Sequence, residues 1–331
     1  MTERLIVVGA GAAGLNAAWH ARRRGVEALL IDAAERPGGA WARMDPAMRC
    51  LSPRELDRLA DGSTPEGPGR FATAAEVLEA VRAFAAREGF RSRMGQRVTS
   101  VRRVDGVLEL DTTGGPIRTL ALVAATGIAG SPHALELPGA FAGAILPAFG
   151  LHARETTGSV LVIGAGNSGA DAIDLLLERG HDVVLSSRQA LRSQPPFPEG
   201  LAGRVSWLAS GVPVRFLPPA LRSGEVLPVG DRITRHVDAG LRVVGEAVAL
   251  EPGGVRCLRG PGARGVPEEL VAVDTVVVAT GFDPDLVWLR GLTGPDIVTL
   301  GIDGQRTRRS GFLRGFDDDA RHAVRRLLGG R

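Results

Sequence analysis

Twice in its 331 residues the chain runs from an apolar stretch into a G-x-G-x-x-G turn and on into a helix-forming stretch. Leu5–Val8 enters Gly9-Ala10-Gly11-Ala12-Ala13-Gly14; a helical pattern follows to Arg24, Gly25 closes it, and Ala28–Ile31 leads to Asp32. Val160–Ile163 enters Gly164-Ala165-Gly166-Asn167-Ser168-Gly169; the helical pattern runs to Arg179, Gly180 closes it, and Val183–Leu185 leads to Ser186-Ser187-Arg188. Each is a strand–turn–helix–strand unit of the βαβ type. In such a turn the first glycine permits the tight bend. The second lets backbone approach a pyrophosphate, and the third lets helix and strand pack closely. The helix start offers free N–H groups and a positive dipole end to the phosphates. The repetition predicts an α/β fold with two Rossmann-like dinucleotide-binding domains.

The two units differ where the ribose would lie. Asp32 stands at the end of the second strand of the first unit, placed to accept hydrogen bonds from an adenosine ribose. The second unit carries no carboxylate there; it has Arg188, which can pair with a 2′-phosphate that a carboxylate would repel. The first site therefore suits an adenosine with a free 2′-OH, and the second suits NADPH. Ala125-Thr126-Gly127 and Ala279-Thr280-Gly281 each end an apolar strand, where glycine lets backbone pass close to a cofactor.

Composition removes competing chemistries. The chain has no lysine and no tyrosine, so a P-loop lysine, a Schiff-base lysine and the Tyr/Lys pair of short-chain dehydrogenases are all excluded. The net charge of +3 rests on scattered arginines, which predicts no nucleic-acid binding. The two cysteines, Cys50 and Cys257, form no C-x-x-C, and no cluster has metal-ligand spacing, so no redox dithiol and no metal are expected. No apolar stretch spans a bilayer, and a cytoplasmic protein without membrane attachment is the expectation. Elsewhere the pattern predicts a helix over Ala74–Glu88 and strands over Val98–Leu110, Ile117–Ala124 and Leu270–Ala279. It also predicts an irregular loop with short elements over Pro195–Pro219 and a terminal helix over Asp317–Leu328.

Taken together, these motifs resemble class B flavoprotein monooxygenases. Gly9–Gly14, Asp32 and Pro37-Gly38-Gly39-Ala40-Trp41 are similar to that family's FAD site. Gly164–Gly169 with Asp171, and Ala279-Thr280-Gly281-Phe282, are similar to its NADPH site. Leu51-Ser52-Pro53-Arg54 and the tail Ser310–Ala320 are closest to the short bacterial and YUCCA-like members. The resemblance implies FAD held by Gly9, Gly11, Ala12, Ala13, Gly14, Asp32, Gly39, Trp41, Thr126 and Gly127. It implies NADPH held by Gly164, Gly166, Asn167, Ser168, Gly169, Arg188, Thr280 and Gly281. It also implies a discontinuous FAD domain, residues 1–150 and 276–331, around an NADPH domain at 155–275. On resemblance alone, Arg54 is the charged candidate beside the flavin ring.

Such an enzyme passes hydride from NADPH to FAD, and the reduced flavin reacts with O2 at C4a. The oxygen adduct then transfers one atom to a small-molecule substrate. One departure stands out. Family members carry F-x-G-x-x-x-H before the second turn, whereas Phe141 and Gly143 here are followed by Pro147 in place of histidine. Proline has neither a side-chain donor nor a backbone N–H. This leaves open a flavin oxidase or reductase passing electrons to O2, a quinone or an imine, and, third, a non-catalytic flavin-binding protein. His152 is expected to be a surface residue, and Cys50 a small buried filler rather than a low-pKa thiolate.

Overall fold

Leu5–Val8 is apolar throughout because it is buried on both faces. Leu5 and Val7 belong to one core with Leu15, Val77, Val81 and Phe84, whereas Ile6 and Val8 belong to another with Leu29, Val101, Leu110 and Leu122. Burial on both faces is the mark of a central strand in a parallel sheet. In the computed structural model, which describes residues 2–129, 131–218, 227–262 and 268–329, Ile6–Val8 is such a strand. It pairs in parallel with Leu29–Ile31 on one side (Ile6 opposite Leu29) and with Leu122–Ala124 on the other (Ile6 opposite Leu122). Ser92–Arg93 and Ile297–Thr299 complete five parallel strands.

The second turn sits in a matching frame. Val160 and Val162 belong to one core, Leu161 and Ile163 to another. Val160–Ile163 lies between Val183–Ser186 and Thr275–Val278, with Arg242–Val244 and Ala144–Pro147 at the edges, again all parallel. Each parallel sheet has a mainly antiparallel companion: Val98–Val104, Val107–Thr112 and Ile117–Thr119 with Thr2–Glu3 added in parallel in one case, Ala247–Glu251, Gly254–Leu258 and Glu268–Ala272 in the other. Among the described residues no helix is long and apolar enough to cross a membrane.

The chain divides into two compact units. One comprises Met1–Ser131, Phe197–Gly224 and Asp283–Arg331; the other comprises Pro132–Pro196 and Glu225–Phe282. The first is discontinuous, but its limits differ from the 1–150, 276–331 and 155–275 expected. Residues before 150 join the second unit because Ala144–Pro147 is an edge strand of its sheet. Residues after 196 return to the first because Arg70 donates to the Pro198 carbonyl at 2.8 Å and Arg309 stacks on Trp207 at 3.8 Å.

Three expected strands are each two. Val98–Leu110 is a hairpin turning at Asp105-Gly106, both left-handed (φ 50° and 79°). Ile117–Ala124 gives its first part to the antiparallel sheet and its second to the parallel one. Leu270–Ala279 breaks at Asp274, whose carboxylate accepts from the Ser159 backbone N–H at 2.8 Å. The helix Ala74–Glu88 has the expected bounds, with a Thr73/Glu76 capping box and a left-handed Gly89 at its end. The region around 195–219 holds a helix, Gly200–Ser210, which its glycines and prolines masked. Pro219 lies outside the described residues.

Candidate functional site

The first glycine turn is locked by backbone contacts that tolerate no side chain. Gly9 has φ 108°, and a Cβ on it would lie 2.3 Å from the Ala125 carbonyl oxygen. A Cβ on Gly14 would lie 1.9 Å from the Gly9 carbonyl oxygen, so helix Ala12–Arg22 can approach the strand only with glycine there. Gly11 is the N-cap; no side chain caps it and no acid occupies the first turn. Those N–H groups and the dipole are thus left for an anion. Ala12 and Ala13 are buried in that first turn.

Asp32 fixes this turn from the neighbouring strand. One carboxylate oxygen accepts from the Ala10 N–H at 2.6 Å, the other from the Ala34 N–H at 2.7 Å. Each oxygen keeps a second lone pair, so Asp32 can shape the turn and still accept from a ribose hydroxyl. The Gly38-Gly39-Ala40-Trp41 stretch closes over the turn. Gly38 N–H donates to the Ala10 carbonyl, and a Cβ on Gly39 would lie 3.0 Å from the Gly11 Cα. Trp41 packs against the adjoining core. Gly127 is left-handed (φ 78°), and the Thr126 hydroxyl donates to the Asp285 carbonyl at 2.6 Å. Gly301, which the motif reading missed, joins them: a Cβ there would lie 3.5 Å from the Ala13 Cβ and 3.7 Å from the Gly127 Cα. Its only sequence signal was a glycine following an apolar run.

The second turn repeats this construction. Gly164 has φ 116°, and its Cβ would lie 2.4 Å from the Ala279 carbonyl oxygen; that of Gly169 would lie 2.0 Å from the Gly164 carbonyl oxygen. Gly166 is the N-cap of helix Asn167–Glu178, again without a side-chain cap or an acid in the first turn. Ser168 is half-buried in that turn. Asn167 does more than fill its place. Its amide donates to the Leu227 carbonyl and accepts from the Val229 N–H, both at 3.2 Å. Asp171 pairs with Arg232 at 2.5 Å.

At the end of strand Val183–Ser186, Ser186 and Ser187 are buried and turn their hydroxyls onto the carbonyls of Gly245 and Gln189. Arg188 next to them is exposed, and among the described residues its guanidinium forms no hydrogen bond or ion pair. The Thr280 carbonyl receives a bond from His133, whose Nδ1 lies 2.9 Å away, and the His133 N–H donates to the Gly281 carbonyl at 3.0 Å. Because a carbonyl only accepts, Nδ1 carries the proton. Nothing in the sequence marked this lone histidine. His152 lies elsewhere: its carbonyl accepts from Arg179, at the end of the helix remote from the turn.

Arg54 is engaged within its own unit. Its guanidinium donates to the carbonyls of Pro65, Pro68 and Gly69 and to Glu76 at 2.9–3.2 Å, so it clamps a loop onto helix Ala74–Glu88. Cys50 is buried, and burial, reinforced by Asp57, pushes its thiol well above the usual range. It lacks the thiolate character of a redox cysteine.

Known proteins carry the same architecture. A ferredoxin–NADP reductase of Salinispora tropica is 30% identical over 287 residues, covering 85% of this chain and 74% of that one. The indole-3-pyruvate monooxygenase YUCCA1 of Oryza sativa subsp. japonica is 26% identical, covering 86% and 78%. Among solved structures, a doubly substituted flavin monooxygenase of Stenotrophomonas maltophilia superposes with a TM-score of 0.79 over 99% of each chain at 24% identity. A bacillithiol disulfide reductase of Bacillus cereus superposes with a TM-score of 0.74 over the full length of both chains at 17% identity, a likeness of fold. Residues 6–198 match the sequence model of the pyridine nucleotide-disulphide oxidoreductases, and with its two locked dinucleotide turns the chain belongs to that family of oxidoreductases.

Proposed function

We propose that the chain is an FAD-dependent monooxygenase reduced by NADPH and acting on a small molecule. The observation that carries this reading is the pair of turns. Both exclude any Cβ at their first and third glycines, yet they end in opposite charge, Asp32 against Arg188. When bound, FAD supplies the redox chemistry, taking hydride from NADPH and delivering two electrons to O2, of which one atom enters substrate and the other leaves as water.

The chain's own residues bind and orient. The uncapped start of helix Ala12–Arg22 attracts one pyrophosphate, and Asp32 accepts from the adenosine ribose of FAD while holding the turn through Ala10 and Ala34. Gly39, Trp41, Thr126 and Gly127 line that side. The start of helix Asn167–Glu178 attracts the second pyrophosphate. Arg188, unencumbered by any described partner, pairs with the 2′-phosphate of NADPH, and Thr280 and Gly281 lie where Ala279 meets the turn. No side-chain acid, base or nucleophile is needed.

The test is product labelling under 18O2 with NADPH and a panel of small-molecule substrates. Labelled oxygen in product supports insertion. The 30% identity to a ferredoxin–NADP reductase favours one second reading, a reductase handing its electrons to a separate acceptor. That reading expects rapid reoxidation by a quinone or an iron–sulfur protein and no label in any product.

A further inference from the structure

Asp32 does two jobs in the first turn. Its carboxylate ties the end of the second strand to the Ala10 N–H, and it keeps a lone pair for a ribose hydroxyl. The second turn lacks this tie. Gly9 N–H donates to the Ile31 carbonyl and Gly164 N–H to the Ser186 carbonyl, so Ser187 stands where Asp32 does. The Ser187 hydroxyl turns forward onto the Gln189 carbonyl at 2.7 Å, away from the turn. A carboxylate at that place would repel a 2′-phosphate. A loop that presents Arg188 to such a phosphate is therefore best fixed to the turn by neutral groups.

The segment Leu227–Gly230 supplies them. The Leu227 carbonyl accepts from two side-chain amides, Asn167 Nδ2 at 3.2 Å and Gln194 Nε2 at 2.8 Å. Asn167 is the first residue of the helix after the turn, and its Oδ1 accepts from the Val229 N–H at 3.2 Å. The Gln194 backbone adds two bonds: its N–H donates to the Pro228 carbonyl at 2.9 Å, and its carbonyl accepts from the Gly230 N–H at 2.8 Å. Beyond this, Arg232 pairs with Asp171 at 2.5 Å and with Asp174 at 3.0 Å, so the strap follows the helix from its first residue to Asp174. At the near end of the loop, the Gly262 N–H donates to the Arg188 carbonyl at 3.1 Å. The loop is thus held at both ends, and the exposed Arg188 side chain is left to reach outward.

We propose that Gln194 is a positioning residue for cofactor specificity: through Leu227 and Asn167 it fixes the reach from the second glycine turn to Arg188. The inference rests on the assignment of NADPH to that turn. A guanidinium on a loose loop must be ordered when it meets a phosphate, whereas one on a fixed loop binds with less loss of freedom. Loss of the Gln194 tie therefore weakens binding of a 2′-phosphorylated nucleotide and spares one without that phosphate. Because the tie is made by amides, it adds no negative charge beside the phosphate.

The test is isothermal titration of the oxidised, flavin-loaded full chain with adenosine 2′,5′-bisphosphate and with 5′-AMP, which differ only in the 2′-phosphate. Wild type should prefer the bisphosphate roughly tenfold or more. Gln194→Met, similar in length but without a donor, should lower that preference roughly two- to tenfold and leave 5′-AMP binding unchanged. In an Arg188→Ala background the same substitution should alter neither ligand, because its effect passes through Arg188. Should Gln194→Met fail to fold, Arg232→Met frees the strap from the helix without touching the loop and should lower the preference in the same direction. Equal weakening of both ligands, or an undiminished effect in the Arg188→Ala background, would mark a merely structural role and overturn the proposal. A wild type indifferent to the 2′-phosphate would overturn the NADPH assignment and this inference together. A preference that Arg188→Ala abolishes, but that Gln194→Met and Arg232→Met leave intact, would overturn this inference alone.

Discussion

Asp57 has no exposed surface, and Ser52 Oγ donates to its Oδ1 at 2.5 Å. Burial pushes its pKa up to about 7, against the opposing pull of Ser52 and the Arg314 guanidinium. An acid whose folded pKa lies above its unfolded value favours folding most at low pH. Its contribution is lost as pH rises from about 4 through 7, by a few kcal/mol at most. Asp57→Asn keeps an acceptor for Ser52 and removes the titration. Its melting temperature relative to wild type should therefore rise between pH 5 and pH 8; a constant difference across that range would show that Asp57 does not titrate there. Arg188 allows a sharper test of specificity. A charge-assisted contact to phosphate is worth ~1.5–3 kcal/mol, so Arg188→Ala should raise KM for NADPH roughly ten- to a hundredfold and leave NADH nearly unchanged. His133 acts on the turn through its bond to the Thr280 carbonyl. His133→Ala should raise KM for NADPH several-fold with kcat little changed, and His133→Asn, which can still donate to Thr280, should recover most of the loss.

At the scale of the element, the two turns are so alike that their substitutions separate the two cofactors. Gly9→Ala would drive a methyl group into the Ala125 carbonyl, and Gly164→Ala would do the same at Ala279. The first variant should purify without flavin. The second should remain yellow but resist reduction by NADPH, which anaerobic titration would read directly. Pro147 is also best understood here. It is the last residue of an edge strand, opposite Val278, and the ladder continues with Ala148 N–H donating to the Val278 carbonyl at 2.9 Å. A proline is tolerated on an edge, where its missing N–H costs little. Pairing thus orders this linker without a histidine. If proline at this position lets reduced flavin lose electrons to O2 as peroxide, Pro147→His should lower the peroxide formed from NADPH without substrate. The turns were legible in the sequence because a glycine forced by a positive φ or a backbone contact admits no substitute. The strand breaks at Leu120-Ala121 and Asp274 were not, because a run of β-formers does not reveal to which sheet each half goes.

At the scale of the whole molecule, one plan is built twice, a five-stranded parallel sheet with an antiparallel companion, and the chain crosses between the copies more often than its motifs suggest. Phe197–Gly224 is the clearest instance. It follows the second turn in sequence, yet it belongs with the first unit because Arg70, Arg306 and Arg309 hold it there. The amino-acid sequence by itself determined the fold class, both glycine turns, and the charge contrast between Asp32 and Arg188. These depend on local backbone geometry and on the short spacing of turn, helix and following strand. Only the tertiary structure decided that Arg54 is a loop clamp, that His133 and Gly301 support the turns, and that Gly200–Ser210 is a helix held on the first unit by Arg309. Each of those depends on a partner distant in the chain, and a linear pattern carries no record of which distant residues packing brings together.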